Sequence, residues 1–261
     1  MVSSGEIQAP RALLRAVPDS LARSLTRVES REPIDVGRAR SQHEAYAGAL
    51  RSASYATEVL AADEKYPDCC FIEDAAVVVG EVVVLTRSGA PSRRGEVEKV
   101  ANALHGRMAL ERLQPPAMLD GGDVLQVGGR FYVGRSERTN REGIRQFTEV
   151  AARQGMEVVP VEVGDVLHLK SAVTALDGES VLLAPGLVEE APFASLRAVR
   201  VPPEEWSAAN ALRLPDRVLV AAGHPRALAL IEEAGFATVP IDIDQFQRAD
   251  AGLTCLSVLL D

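Results

Sequence analysis

The sequence predicts an α/β fold of five similar modules, each a hairpin, a helix and a further strand, closed into a ring. Two observations carry this reading. Five short polar segments stand just ahead of apolar, strand-like runs: Glu73-Asp74, Asp120-Gly121-Gly122-Asp123, His168-Leu169-Lys170-Ser171, Ala209-Asn210 and Thr254-Cys255. They recur at intervals of roughly 40–50 residues, the range of supersecondary repeats. The second observation is order: four copies keep hairpin, helix, strand in sequence, and the fifth is split between the two ends of the chain.

The first module runs through the apolar stretch Ala75 to Leu85, turns at Gly80-Glu81 and continues into a helix from about Ser92 to His105. The second is the clearest. Val124 to Val127 and Arg130 to Val133 flank Gly128-Gly129, a pair that permits the positive φ of a tight two-residue turn. Thr139-Asn140-Arg141-Glu142 reads as a capping box, with the threonine oxygen on a free helix N–H. Gly143 to Gln154 has helical apolar spacing, Gly155 stops the helix, and Met156 to Val161 is a strand. The third module turns at Asp177-Gly178 and is followed by a short helix near Glu189 to Arg197. The fourth turns at Pro215-Asp216 and places Pro225 at the start of a helix to Ala234, with a strand from Phe236 to Ile241. The fifth pairs Leu253 to Leu260 with Ala12 to Val17, then adds a helix near Val36 to Ser52 and a strand near Thr57 to Leu60. Termini that complete one module leave no open sheet edge. The five polar segments then meet at one end of the ring axis.

A chain of 261 residues with 47% hydrophobic content has ample material for a core, and no Gly-, Ser- or Pro-rich linker divides it, so residues 1–261 are read as one domain. The formal charge of -9 argues against nucleic-acid binding, which uses a basic stripe, and suits a cationic small ligand. No run approaches the ~20 apolar residues of a membrane span, and Met1 to Val17 lacks a signal-peptide apolar segment. Three cysteines, two of them adjacent, make no disulfide framework and point to a reducing cytoplasm.

Cys255 in an apolar strand is by itself an ordinary small hydrophobe. At the mouth of the ring it becomes a candidate nucleophile, with His168 as its proton relay because an imidazole titrates near neutrality. Asp120 and Asp123 flank Gly121-Gly122, and either carboxylate is placed to orient His168. Asp68, Glu73 and Asp74 crowd one segment, where they would repel one another unless a cation binds, and a planar guanidinium fits carboxylates through paired hydrogen bonds. Arg93 and Arg138 open the helices of adjacent modules and are placed to grip one carboxylate from two sides. His43 on a mostly polar helix, His105 at a helix end and His224 before Pro225 are weaker candidates.

On these residues the chain resembles the dimethylarginine dimethylaminohydrolases, members of the guanidino-modifying pentein superfamily, whose fold is a five-bladed α/β propeller. The matching stretches are Pro67 to Asp74, Ser88 to Arg94, Leu119 to Leu125, Arg138-Thr139-Asn140, Leu167 to Ser171 and Leu253-Thr254-Cys255, within a likeness running from about Arg11 to Leu260. The resemblance implies Cys255 as nucleophile, His168 as general acid/base and Asp120 as its orienting carboxylate. It implies that Glu73 and Asp74 hold the guanidinium, that Asp68 with backbone carbonyls at Leu25 and Ala249 meets the α-amine, and that Arg93 and Arg138 take the α-carboxylate. The expected reaction is hydrolysis of Nω-methylated arginine to citrulline and a methylamine, without metal or organic cofactor. The expected partner is a small cationic guanidino substrate, with neither nucleic acid nor membrane; a homodimer is compatible with the chain. The rival readings are an arginine-deiminase-like hydrolase of free arginine and a non-catalytic binding protein of the same fold.

Overall fold

The computed structural model describes residues 9–27 and 31–260. In chain order the elements are β1 (Arg11–Arg15), α1 (Val36–Ser52) and β2 (Ala56–Leu60); β3 (Ala76–Val79), β4 (Val82–Leu85), α2 (Val97–Leu104) and β5 (Ala109–Arg112); β6 (Val124–Val127), β7 (Arg130–Arg135), α3 (Arg141–Arg153) and β8 (Glu157–Glu162). Then come β9 (Val173–Ala175), β10 (Ser180–Leu183) and β11 (Arg197–Arg200); β12 (Leu212–Arg213), β13 (Val218–Ala221), α4 (Pro225–Glu233) and β14 (Thr238–Ile241); α5 (Asp244–Gln247) and β15 (Ser257–Leu260).

These strands form five three-stranded sheets with one plan. In each, an inner strand pairs antiparallel with a middle strand, which pairs parallel with an outer one. The fifth sheet takes its inner strand, β15, from the C-terminal end and its middle strand, β1, from the N-terminal end, with Leu13 opposite Val258. The middle strands are buried along most of their length, as in Val82–Leu85 and Ser180–Leu183, because they are covered on both faces. Outer strands such as Ala56–Leu60 are exposed or half-buried. Apolar clusters fill the spaces between neighbouring sheets and helices. Residues from all five inner strands line a well of about 480 Å³ along the axis. The architecture is the five-bladed α/β propeller.

Three local expectations change. The helix placed near Ser92 begins at Val97, because Pro91–Arg93 forms a separate 3-10 turn that carries Arg93 inward. The helix placed at Glu189 to Arg197 shrinks to one turn, Ala191–Phe193, since Arg197–Arg200 is needed as the strand beside β10. Asn140, not Thr139, caps α3: its Oδ1 accepts from Gly143 N at 2.8 Å, while the threonine hydroxyl is drawn inward to Asp123. His43 lies on the buried face of α1, against Phe246. Among the described residues no helix is long and apolar enough to cross a membrane.

Candidate active site

Each of the five polar segments ends as a short 3-10 turn leading into an inner strand: Ile72–Ala75, Gly121–Asp123, Leu169–Ser171, Pro203–Ala209 and Thr254–Leu256. Neighbouring turns touch, forming a collar around the axis. Residues one or two positions apart in a segment line opposite sides of this collar. Asp74, His168 and Cys255 line a cavity of about 140 Å³ on the loop side. Glu73, Lys170 and Thr254 line the axial well behind it.

The loop-side cavity also receives Leu25, Asp68, Arg93, Arg138 and Ala249, so eight of the ten expected site residues converge there. The two others are placed differently. Asp120 is fully buried behind the imidazole, with Oδ2 3.2 Å from His168 Nε2. Glu73 faces the well: Oε2 accepts from Thr254 Oγ1 at 2.8 Å and Oε1 pairs with the Lys170 ammonium.

Of Asp120 and Asp123, it is Asp120 that contacts the imidazole. Asp120 meets the ring and anchors its other oxygen on Gly89 N at 3.0 Å. Asp123 accepts from Ser136 and Thr139 hydroxyls at 2.6 Å each, and from Leu169 N at 2.9 Å, so it fixes the loop beside the histidine instead. The intervening glycines are required by close approach. A Cβ on Gly121 would lie 2.0 Å from Glu73 O, and one on Gly122 would lie 2.5 Å from His168 Nδ1.

Arg93 is committed within the protein. Its NH1 donates to Asp74 at 2.6 Å, its Nε and NH2 clasp Glu96 at 3.0 and 2.9 Å, and NH2 also reaches Phe71 O at 3.2 Å. The two arginines that line the cavity therefore differ in their contacts. Arg138 differs: its NH1 is buried with no hydrogen-bond partner, 3.6 Å from Asp120 Oδ2. Asp68 accepts from Leu25 N at 3.1 Å across the cavity rim. Beside Ala249, Asp250 takes a left-handed backbone (φ 56°) and accepts from Arg27 N at 2.6 Å.

The charges couple across the cavity. Burial and then the carboxylates of Glu73 and Asp74 push the Cys255 thiol up to about 12, so the resting sulfur is protonated. Burial works against the His168 cation, but Asp74, the Asp120 hydrogen bond and Asp123 outweigh it and hold the imidazole at about 9. Burial alone would raise Asp74; the His168 and Arg93 cations hold it below the ordinary carboxylate range. Burial raises Asp68 and Glu73. Asp74, Asp120 and His168 bring ligand atoms within 4.8 Å of one another, the spacing of a metal site, but each of these groups is satisfied by a protein partner.

Several participants had weak sequence signals. Glu96 lies three residues after Arg93, a spacing that favours ion pairs on a helical turn. Lys170, Asn210 and Thr254 lie in the repeated polar segments, yet nothing in the order of residues says which side of the collar each faces.

Comparison with known proteins fits this architecture. The sequence model of a family described as N,N dimethylarginine dimethylhydrolase, eukaryotic, matches residues 16–188. The chain is 40% identical to N(G),N(G)-dimethylarginine dimethylaminohydrolase of Streptomyces coelicolor, covering 96% of both chains. It is 33% identical to the enzyme of that name from Pseudomonas aeruginosa, covering 94% of this chain and 97% of the other. A solved structure of the Pseudomonas aeruginosa protein, a Cys-to-Ser mutant complexed with citrulline, superposes with a TM-score of 0.93 at 31% identity, covering 97% and 99% of the chains. The protein is therefore a hydrolase of the pentein class that acts on guanidino C–N bonds. Within that class, the chain belongs to the dimethylarginine dimethylaminohydrolase family.

Proposed function

We propose that the protein hydrolyses Nω-methylated L-arginine, the asymmetric dimethyl and the monomethyl forms, to citrulline and a methylamine, with Cys255 as the nucleophile. One observation carries this reading: the Cys255 thiol and His168 share a small cavity with the Asp74 and Asp68 carboxylates and the Arg138 guanidinium, whose NH1 has no hydrogen-bond partner. That set complements an amino acid with a cationic side chain. In this reading Arg138 takes the α-carboxylate, Asp68 with the backbone at Leu25 and Ala249 takes the α-amine, and Asp74 faces the guanidinium. Arg93 acts through Asp74, and Glu73 supports the guanidinium end from behind.

The resting thiol is neutral, so ionisation follows substrate. The arriving cation offsets the carboxylates that raise the thiol, and Cys255 releases its proton to solvent. The thiolate attacks the guanidinium carbon and forms a C–S bond. The C–N bond to the methylated nitrogen breaks as the His168 imidazolium gives that nitrogen its proton. The S-alkylthiouronium left behind keeps the substrate's remaining charge. Neutral His168 then takes a proton from water, hydroxide adds to the carbon, and the C–S bond breaks to give citrulline and free Cys255. Asp120 holds the ring throughout.

The test is citrulline formation from asymmetric dimethylarginine and from arginine, with dimethylamine and ammonia quantified. Dimethylamine release that Cys255→Ser abolishes is the expected result. Ammonia release from arginine alone would replace the proposal with a deiminase.

A further inference from the structure

Asn210 belongs to the one repeated polar segment to which the reaction assigns no role. It closes the turn Pro203–Ala209 and is buried, at 6% exposure. We infer that Asn210 is a positioning residue that sets the nucleophile loop Gly252–Cys255 against Glu73, and this rests on the reading of Cys255 as nucleophile. Its Oδ1 accepts from Thr254 N at 3.0 Å. Its Nδ2 donates to Thr254 Oγ1 at 3.1 Å and to Lys170 O at 3.0 Å. The Thr254 hydroxyl, thus fixed as acceptor, sends its own proton to Glu73 Oε2 at 2.8 Å.

The other side of the amide holds the loop by contact. A Cβ on Gly252 would fall 2.2 Å from Asn210 Cγ, so the loop backbone lies directly on the amide. Gly252 N in turn points at Cys255 Sγ, 3.4 Å away. One side chain therefore ties three turns of the collar together: the one bearing Cys255, the one bearing Glu73, and the one bearing His168 and Lys170. Of the polar side chains this size, an amide supplies an acceptor at one end and a twice-donating nitrogen at the other. Aspartate has the shape but would set an oxygen against the Lys170 carbonyl and the Thr254 hydroxyl.

The direction of the chain matters for the sulfur. Glu73, Asp74, Lys170 and His168 are the charged groups of the neighbouring turns, and their distances from the thiol depend on where Thr254 is held. A displacement of about 1 Å in such a site costs on the order of 100-fold in rate.

Three variants test this: Asn210→Asp, Thr254→Val and Thr254→Ser. Each is measured for melting temperature, for kcat and KM on asymmetric dimethylarginine, and for the pH dependence of Cys255 alkylation by iodoacetamide, read by mass spectrometry. Asn210→Asp and Thr254→Val are expected to lower kcat by about 100-fold, with a smaller change in KM. Asn210→Asp is expected to move the alkylation midpoint upward by about one unit. Thr254→Ser, which keeps the hydroxyl, is expected to stay close to the unmodified protein. Variants that melt lower but keep kcat and the alkylation profile would reduce Asn210 to a packing residue and overturn the inference. Should Asn210→Asp not fold, equal activity of Thr254→Val and Thr254→Ser would overturn it. Alkylation reads the thiol without turnover, so an active Cys255→Ser protein would refute the nucleophile assignment separately.

Discussion

Two buried histidines displaced in opposite directions make the stability of this protein a peaked function of pH. His43, on the buried face of α1, is 6% exposed, and its burial pulls its pKa from 6.5 down to about 4. The unfolded chain takes up that proton as pH falls below 6.5 while the folded protein resists it. The native state is therefore fully favoured above 6.5 and loses about 3 kcal/mol from this group as pH drops to 4. His168 behaves in reverse. Its pKa rises from 6.5 to about 9, so its contribution is fully present below 6.5 and is lost as pH climbs to 9, again about 3 kcal/mol. Urea unfolding from pH 4 to 9 measures this for the unmodified protein, His43→Leu and His168→Asn. Subtracting each variant from the unmodified protein removes the titrations they share. The His43 difference curve should slope through pH 4 to 6.5, and the His168 curve through 6.5 to 9 with the opposite sign. Flat curves would refute the electrostatic reasoning, and with it the protonated imidazole on which leaving-group protonation depends.

Other outcomes follow from the same charges. Arg93→Leu leaves Asp74 and Glu96 as buried carboxylates without their cation, so unfolding free energy should drop by about 3–5 kcal/mol in denaturant titrations, and activity should vanish. Lys170→Met removes the ammonium that lowers both Glu73 and the Cys255 thiol, so iodoacetamide should react with Cys255 more slowly at pH 8. Gly122→Ala should abolish activity, since its Cβ would strike His168 Nδ1, whereas Gly129→Ala, with open space around it, should be nearly neutral in the same assay.

The chain's order of residues determined the repeat and nearly all its elements, because they rest on local rules: apolar runs broken by Gly-Gly or Pro-Asp turns, Pro at a helix start, Gly at a helix stop. It also marked the polar segment before each inner strand. Where it misled, a distant partner had overridden a local preference. Thr139 has the chemistry of a helix cap, yet a buried Asp123 carboxylate takes its hydroxyl and leaves the cap to Asn140. Glu73 and Asp74 are neighbours of identical charge type, and only the packed collar turns one to the well and the other to the cavity. Arg93 and Arg138 hold equivalent places in their modules, but Glu96 and Asp74 engage the first while the second keeps a free donor. Apart from the i,i+3 pair of Arg93 with Glu96, these facings and partnerships are contacts between residues far apart in sequence, so no local pattern encodes them, and the assembled tertiary structure alone decided them.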